Sequence, residues 1–319
     1  MFERPPLSTA PAEGGDLRVA VVDCGTNSLR LLIADVVDGE LKQIDRRMTI
    51  VRLGQGVDAT GAFAPEALER VFKASDEYAA VIRAAGATRT RFVATSAARD
   101  VSNRDKFFAG ISERFGVEPE IISGAEEAEL SFRGATGGLT ALAVPGPYLV
   151  ADIGGGSTEL VLGDANGVIA AESLDMGSVR MTERHLTSDP ATAAELAAAT
   201  KDVDALLAST IVPITEARAL IGTAGTVTTV AAVASKLTEY DAERIHHSRI
   251  SGSLLRETTY WLMRSTRAER SSVPVIHPGR VDVIGAGVLI LQRLYDRMAV
   301  GEVIVSEHDI LDGVALSIG

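Results

Sequence analysis

Cysteine is nearly missing from this chain of 319 residues: Cys24 stands alone, so no disulfide can close within it. A reducing, cytoplasmic setting is the expectation, with Cys24 serving as a small buried apolar residue rather than a redox centre. Positive charge is also scarce. The net charge of −12 leaves no basic face for nucleic acid, which excludes that partner. The deficit is uneven, because residues 1–125 hold 16 basic against 18 acidic side chains and the remainder carries the other −10. A polyanion would be steered to the first part, where Arg46, Arg47, Arg52, Arg89, Arg91 and Arg99 lie, although solvated surface is the alternative for most of them. No apolar run is long enough to span a bilayer, so no membrane partner is expected. Residues 1–16 lack the basic start and apolar centre of a signal peptide and read as a flexible tail. His246, His247 and His277 have no carboxylate or thiolate at ligand spacing, so they read as surface or packing residues.

What is present is a repeated stretch. Tyr148 to Leu162 reads as strand, glycine turn, strand, with Gly154, Gly155 and Gly156 between apolar runs at Leu149–Ile153 and Leu160–Leu162. Glycines there let backbone N–H groups converge on an anion, which suits phosphate. Asp152 at the mouth of the turn would repel a phosphate unless a divalent cation or an attacking water lies between them. Val19 to Ile33 says nearly the same thing: one constant offset lays Asp23 on Asp152, Gly25 on Gly154, Ser28 on Ser157 and Leu31 on Leu160. Two units carrying Asp-x-Gly-x-x-Ser imply a duplicated domain, and 319 residues accommodate two. Face to face, the two turns would grip a phosphate chain, with Asp23 and Asp152 flanking a cation.

Along the chain, Glu40–Leu53 alternates as a third strand, and Pro65 opens a helix that lasts to Gly86. A strand at Arg91–Ser96 leads to Arg99 near a helix start, where the dipole disfavours a cation unless an anion meets it. A strand at Glu118–Ser123 precedes Gly124-Ala-Glu-Glu-Ala-Glu-Leu130. Glu126 and Glu127 in that first helical turn are either dipole partners or a carboxylate aimed into a crevice to align water, and composition does not choose between them. Thr136–Gly146 is the best linker, and Asp189-Pro190 should open the long Ala-rich helix through Leu207. Gly222-Thr-Ala-Gly-Thr226, between a strand and a helix, is a second anion cradle or a tight capped turn. A helix over Arg280–Met298, a strand over Val303–Ser306 and a helix over Ile310–Ile318 complete an α/β chain with mixed sheets and covering helices.

Four motifs in this order, Val22-Asp-Cys-Gly-Thr-Asn-Ser28, Ile122-Ser-Gly-Ala-Glu-Glu-Ala128, Ala151-Asp-Ile-Gly-Gly-Gly-Ser-Thr-Glu159 and Gly222-Thr-Ala-Gly-Thr226, resemble the exopolyphosphatase/guanosine pentaphosphate phosphatase family. The resemblance covers nearly everything after residue 16. It implies a duplicated actin-like, ribonuclease-H-like fold: residues 17–125 plus 307–319 form lobe I, 126–306 lobe II, and a cleft lies between them. It also implies Mg²⁺-dependent release of terminal phosphate from polyphosphate or guanosine pentaphosphate, and a homodimer. By the same resemblance Glu127 is the catalytic base and Asp152 the essential aspartate, with Asp152 and Asp23 near the metal. Thr26, Asn27, Ser28, Arg99 and the turn of Gly154, Gly155, Gly156 and Ser157 match its phosphate-holding positions, and Gly222, Thr223, Gly225 and Thr226, the cradle read from the residues themselves, are expected to hold phosphate as well. Two departures stand out. The chain ends at Gly319 without the further C-terminal domains of longer members, so short polyphosphates are the expected substrates. Ser306-Glu-His-Asp-Ile-Leu-Asp-Gly313 lacks the glycine and arginine expected there. The rival activities are guanosine pentaphosphate hydrolysis, kinase-type phosphotransfer, which a water-activating glutamate disfavours, and non-catalytic nucleotide sensing.

Overall fold

The apolar run at Val19 forms strand β1 (Leu17–Cys24), buried from Arg18 onward. Strand β2 (Ser28–Val37) pairs antiparallel with β1, and β3 (Glu40–Ile50) pairs antiparallel with β2. After α1 (Val57–Thr60) and α2 (Pro65–Ala85), β4 (Arg89–Ala94) returns parallel to β1. Helices α3 (Ser96–Arg99) and α4 (Arg104–Phe115) and the two-residue β5 (Glu120–Ile121) follow, giving the order β3-β2-β1-β4-β5. Ala20, Val22 and Cys24 alternate onto one face, where α2 and α4 supply Leu68, Val71, Phe107 and Ile111. Proline opens α2 and Gly86, at φ 70°, closes it, as the sequence predicts. The computed structural model describes residues 17–99, 101–139 and 142–318. The expected 1–16 tail and part of the expected 136–146 linker lie outside these residues.

The second sheet follows α5 (Gly124–Ala135). Strands β6 (Tyr148–Ile153), β7 (Thr158–Asp164) and β8 (Gly167–Leu174) form an antiparallel meander. Helices α6 (Ser178–His185) and α7 (Ala193–Ser209) lead to β9 (Ala219–Thr223), parallel to β6. Then come α8 (Ala224–Ala234), α9 (Ala242–Ile245), β10 (Arg249–Ser251), α10 (Gly252–Arg264), α11 (Arg267–Ser271), α12 (Ile284–Tyr295) and β11 (Glu302–Val305). The order is β10-β11-β9-β6-β7-β8. Read from the other end, β8-β7-β6-β9-β11 repeats β3-β2-β1-β4-β5, with β10 added at the edge. The backbone therefore carries the duplication inferred from Asp-x-Gly-x-x-Ser, and the fold is the duplicated actin-like one with two mixed, ribonuclease-H-like sheets.

A last helix, α13 (Ile310–Ile318), belongs with the first sheet: Asp312 pairs with Arg46 of β3 at 2.5 Å, and Arg89 of β4 donates to the Ile318 carbonyl at 2.8 Å. One compact unit accordingly runs to Ile122 and takes back the chain from Leu311, and the other is Ser123–Ile310.

Several expected boundaries move for local reasons. Helix α7 does not open at Asp189-Pro190, because Thr192 and Glu195 form a capping box that starts it at Ala193. Arg99 lies in the last turn of α3 and not at a helix start, so the expected dipole penalty does not apply. The strand expected over Glu118–Ser123 shrinks to β5, because Ser123 caps α5 by accepting from the Glu126 N–H.

Alternation along β6 decides where the site lies. Leu149, Ala151 and Ile153 join the main core with α8 and α12, so Tyr148, Val150 and Asp152 face the other side. On that side Tyr148 and Val150 pack against Ala128 and Phe132 of α5. Asp152, one strand position further, thus looks toward the first turns of α5.

Candidate active site

Helix α5 presents Glu127 and Ser131 on its buried face, one turn apart, while Glu126 is only half-buried. That settles which glutamate of the pair points inward. Glu127 is 7 % exposed and Ser131 is fully buried. The Ser131 hydroxyl donates to Asp152 Oδ2 at 2.8 Å, which joins the helix of Glu127 to the end of β6. Opposite Asp152 on β7 stands Glu159, 2 % exposed, accepting from the Ser173 hydroxyl at 2.7 Å. Side chains directly opposed in an antiparallel pair share a face, and two buried carboxylates there repel unless positive charge or a proton lies between them. Glu159 and Ser131 are two residues whose place here the sequence did not reveal. The strand register names the first, since Glu159 sits as far after the turn as Asp152 sits before it. Nothing short of the α5 packing names the second.

The first repeat differs at the matching position. Arg30 occupies the place of Glu159, and its Nε and Nη2 donate to Asp23 Oδ2 at 2.8 and 2.5 Å. One aspartate is thus neutralised within its own hairpin and the other faces a second acid, so Asp23 is a less suitable cation ligand than Asp152. Among the described residues no trio of His, Cys, Asp or Glu has the geometry of a metal site. A cation at Asp152 and Glu159 would therefore draw most of its oxygen ligands from water and substrate, as Mg²⁺ does in phosphate chemistry.

Both glycine turns close the same way, with Gly25 N–H donating to the Ser28 carbonyl and Gly154 N–H to the Ser157 carbonyl, each at 3.0 Å. In the second turn the carbonyls are taken by α6: Ser178 N–H donates to Gly154, Val179 and Arg180 N–H to Gly155, and Arg180 Nε to Gly156 at 2.7 Å. Among the described residues the Gly155 and Gly156 N–H groups meet no acceptor. A turn with occupied carbonyls and available N–H groups is an anion cradle. Gly177 abuts it so closely that a Cβ there would lie 2.4 Å from the Gly155 carbonyl. In the first turn Gly54 N–H donates to the Thr26 carbonyl, Val51 and Arg52 N–H donate to Asn27, and the Thr26 hydroxyl meets that of Ser96 at 3.0 Å. Arg99, in the same unit as Thr26, Asn27 and Ser28, donates through Nε to the Ile122 carbonyl at 3.2 Å.

At the fourth motif β9 turns into α8 through Ala224, whose φ of 65° is uncommon for a residue with a Cβ. Thr226 is buried against Gly287, and the Arg280 guanidinium lies so close to Gly225 that a Cβ there would be 2.4 Å from Nη2. Arg280 brings positive charge to the cradle that the sequence reading did not anticipate. The Thr223 hydroxyl is fully buried and donates to the Ser306 and His308 carbonyls, so Thr223 anchors the neighbouring loop and Gly222 lies inside β9 under Val227. The His308 ring stands 4.3 Å from that of His246, which stacks on His247 at 3.6 Å, so His246 and His247 serve in packing. Cys24 is buried, and desolvation followed by the charge of Asp23 raises its thiol well above the usual range, as fits a packing residue.

A model of the Ppx/GppA phosphatase family matches residues 32–318. The chain belongs to that family. It is 50 % identical over 316 residues to exopolyphosphatase 2 of Mycobacterium tuberculosis, covering 94 % of this chain and 98 % of that protein. Among solved structures it is similar to an exopolyphosphatase-like protein at 43 % identity and TM-score 0.93, covering 96 % of this chain and 98 % of that one. The Aquifex aeolicus Ppx/GppA family member aligns at 28 % identity and TM-score 0.79, over 95 % of this chain and 97 % of that one. A more distant Ppx/GppA relative, the guanosine-5'-triphosphate,3'-diphosphate pyrophosphatase of Vibrio atlanticus, is 27 % identical over 93 % of this chain and 58 % of its own length.

Proposed function

We propose that the protein is an exopolyphosphatase, hydrolysing the terminal phosphoanhydride bond of inorganic polyphosphate. The observation that supports this reading is a buried Glu127 on α5, the helix whose Ser131 donates to Asp152, with Glu159 opposite Asp152 where β6 enters the glycine turn. Glu127 orients a water and accepts its proton as the oxygen attacks the terminal phosphorus, while the bridging P–O bond breaks and the shortened chain leaves. The N–H groups of Gly155 and Gly156, with Ser157 and the Gly225–Thr226 turn beside Arg280, hold phosphate oxygens. Thr26, Asn27, Ser28 and Arg99 are the phosphate-holding candidates of the first unit. Mg²⁺, the proposed cofactor, offsets charge on the phosphate oxygens when bound. Asp152 with Glu159 would hold it.

The test measures phosphate release by wild type and Glu127→Gln, with and without Mg²⁺, on chains of graded length. The glutamine variant is expected to lose about 100- to 10,000-fold in kcat. Equal turnover by the two proteins would remove Glu127 from the mechanism. The relative from Vibrio atlanticus favours a second substrate, guanosine pentaphosphate. Comparing kcat/KM for it and for tripolyphosphate ranks the two.

A further inference from the structure

The mechanism so far uses Glu127 and Asp152 but gives no reason why they stay in register, since one stands on a helix and the other at the end of a strand. We propose that Ser131 is a positioning residue, acting through Asp152 to set the carboxylate that receives the cation. Ser131 is fully buried on α5, its hydroxyl donates to Asp152 Oδ2 at 2.8 Å, and it lies one turn after Glu127 on the same face. A serine hydroxyl carries a single proton, and given to Oδ2 it fixes the carboxylate's rotation about its last bond, so that the direction of Oδ1 is fixed as well. Because Ser131 and Glu127 belong to one rigid helical turn, the same bond sets the offset between the base and the cation ligand. The matching aspartate of the first repeat, Asp23, is held by the Arg30 guanidinium from its own hairpin. The hydroxyl orients without neutralising, whereas an arginine orients and cancels the charge.

This inference rests on the proposed phosphohydrolase reading, and its test separates the two. Ser131→Ala and Ser131→Cys are prepared in wild-type and Asp152→Asn backgrounds; the cysteine keeps the buried volume and lacks a strong donor. Tripolyphosphate turnover is followed against Mg²⁺ concentration, Mn²⁺ binding in the presence of non-hydrolysed phosphate analogue by calorimetry, and folding by thermal melting. In the wild-type background both variants should lower kcat and weaken Mn²⁺ binding by about 10- to 100-fold, with KM changed by less than about threefold. In the Asp152→Asn background the same substitutions should weaken Mn²⁺ binding no further. A merely structural serine would give a lower melting temperature with unchanged Mn²⁺ affinity, or the same loss in both backgrounds, and either result overturns the proposal. If wild type releases no phosphate from any chain, the hydrolase reading fails while Mn²⁺ affinity still decides the role of Ser131.

Discussion

At the scale of single residues, the site is organised by what stands opposite each aspartate. Arg30 pairs with Asp23 in the first hairpin, whereas in the second Glu159 stands opposite Asp152, with the Ser131 hydroxyl donating to Asp152 and that of Ser173 to Glu159. The same scale governs a pH effect away from the catalytic groups. Burial, followed by the charge of His308, holds His247 below the usual imidazole range, against an opposing contact with the Gly137 backbone. His246 stacks on the same ring, and the loop of Glu307 and His308 packs beside it, with Glu307 N–H donating to His246 Nδ1. Well above pH about 6.5 the folded and unfolded forms of His247 are both neutral and it contributes nothing to pH dependence. As the pH falls through that value only the unfolded chain takes up the proton, so stability is lost on acidification. His247→Asn, which accepts the residue's φ of 62°, should reduce the fall in denaturation midpoint between about pH 7.5 and about pH 5.5. An unchanged slope would exclude His247 as its source.

At the scale of elements, the phosphate turn is held from behind by α6, whose first N–H groups occupy the carbonyls of Gly154 and Gly155. The approach requires glycine at 177, because a Cβ there would meet the backbone of Gly155 and Gly156 at 2.4 to 2.6 Å. Gly177→Ala should cost about 1–3 kcal/mol, read as a lower midpoint in denaturant, and should raise KM for polyphosphate by displacing the turn. Wild-type stability in this variant would show that α6 can retreat without strain. Much of this level was legible in the sequence. The Asp-x-Gly-x-x-Ser repeat predicted two hairpins whose turns close with the same hydrogen bond, and Pro65 and Gly86 marked both ends of α2. What escaped were contacts that only packing creates. Arg280 reaches Gly225 across 55 positions of sequence, Ser131 meets Asp152 from another element, and three histidines assemble from two loops. The N-terminus of α7 escaped for a different reason, because two competing start signals lie within four residues and the reciprocal cap of Thr192 with Glu195 outweighs Asp189-Pro190.

At the scale of the whole molecule, the second unit is one continuous stretch, and the first is made of two pieces far apart in sequence. Helix α13 completes the first unit through Asp312 with Arg46 and through the Ile318 carbonyl and Ser317 with Arg89 and Arg91. Deleting residues 311–319 should therefore leave the second unit resistant to protease while β1 to β5 become susceptible, with cleavage sites mapped by mass spectrometry. Equal resistance of both units would show that the first holds together without α13. The interruption also orders events during synthesis. The inserted half can reach its final form while the chain is still attached to the ribosome, whereas its predecessor must wait, with one flank of its sheet uncovered, until translation has delivered the closing helix. A stop codon just ahead of Leu311 would consequently damage a portion made before the one it directly follows.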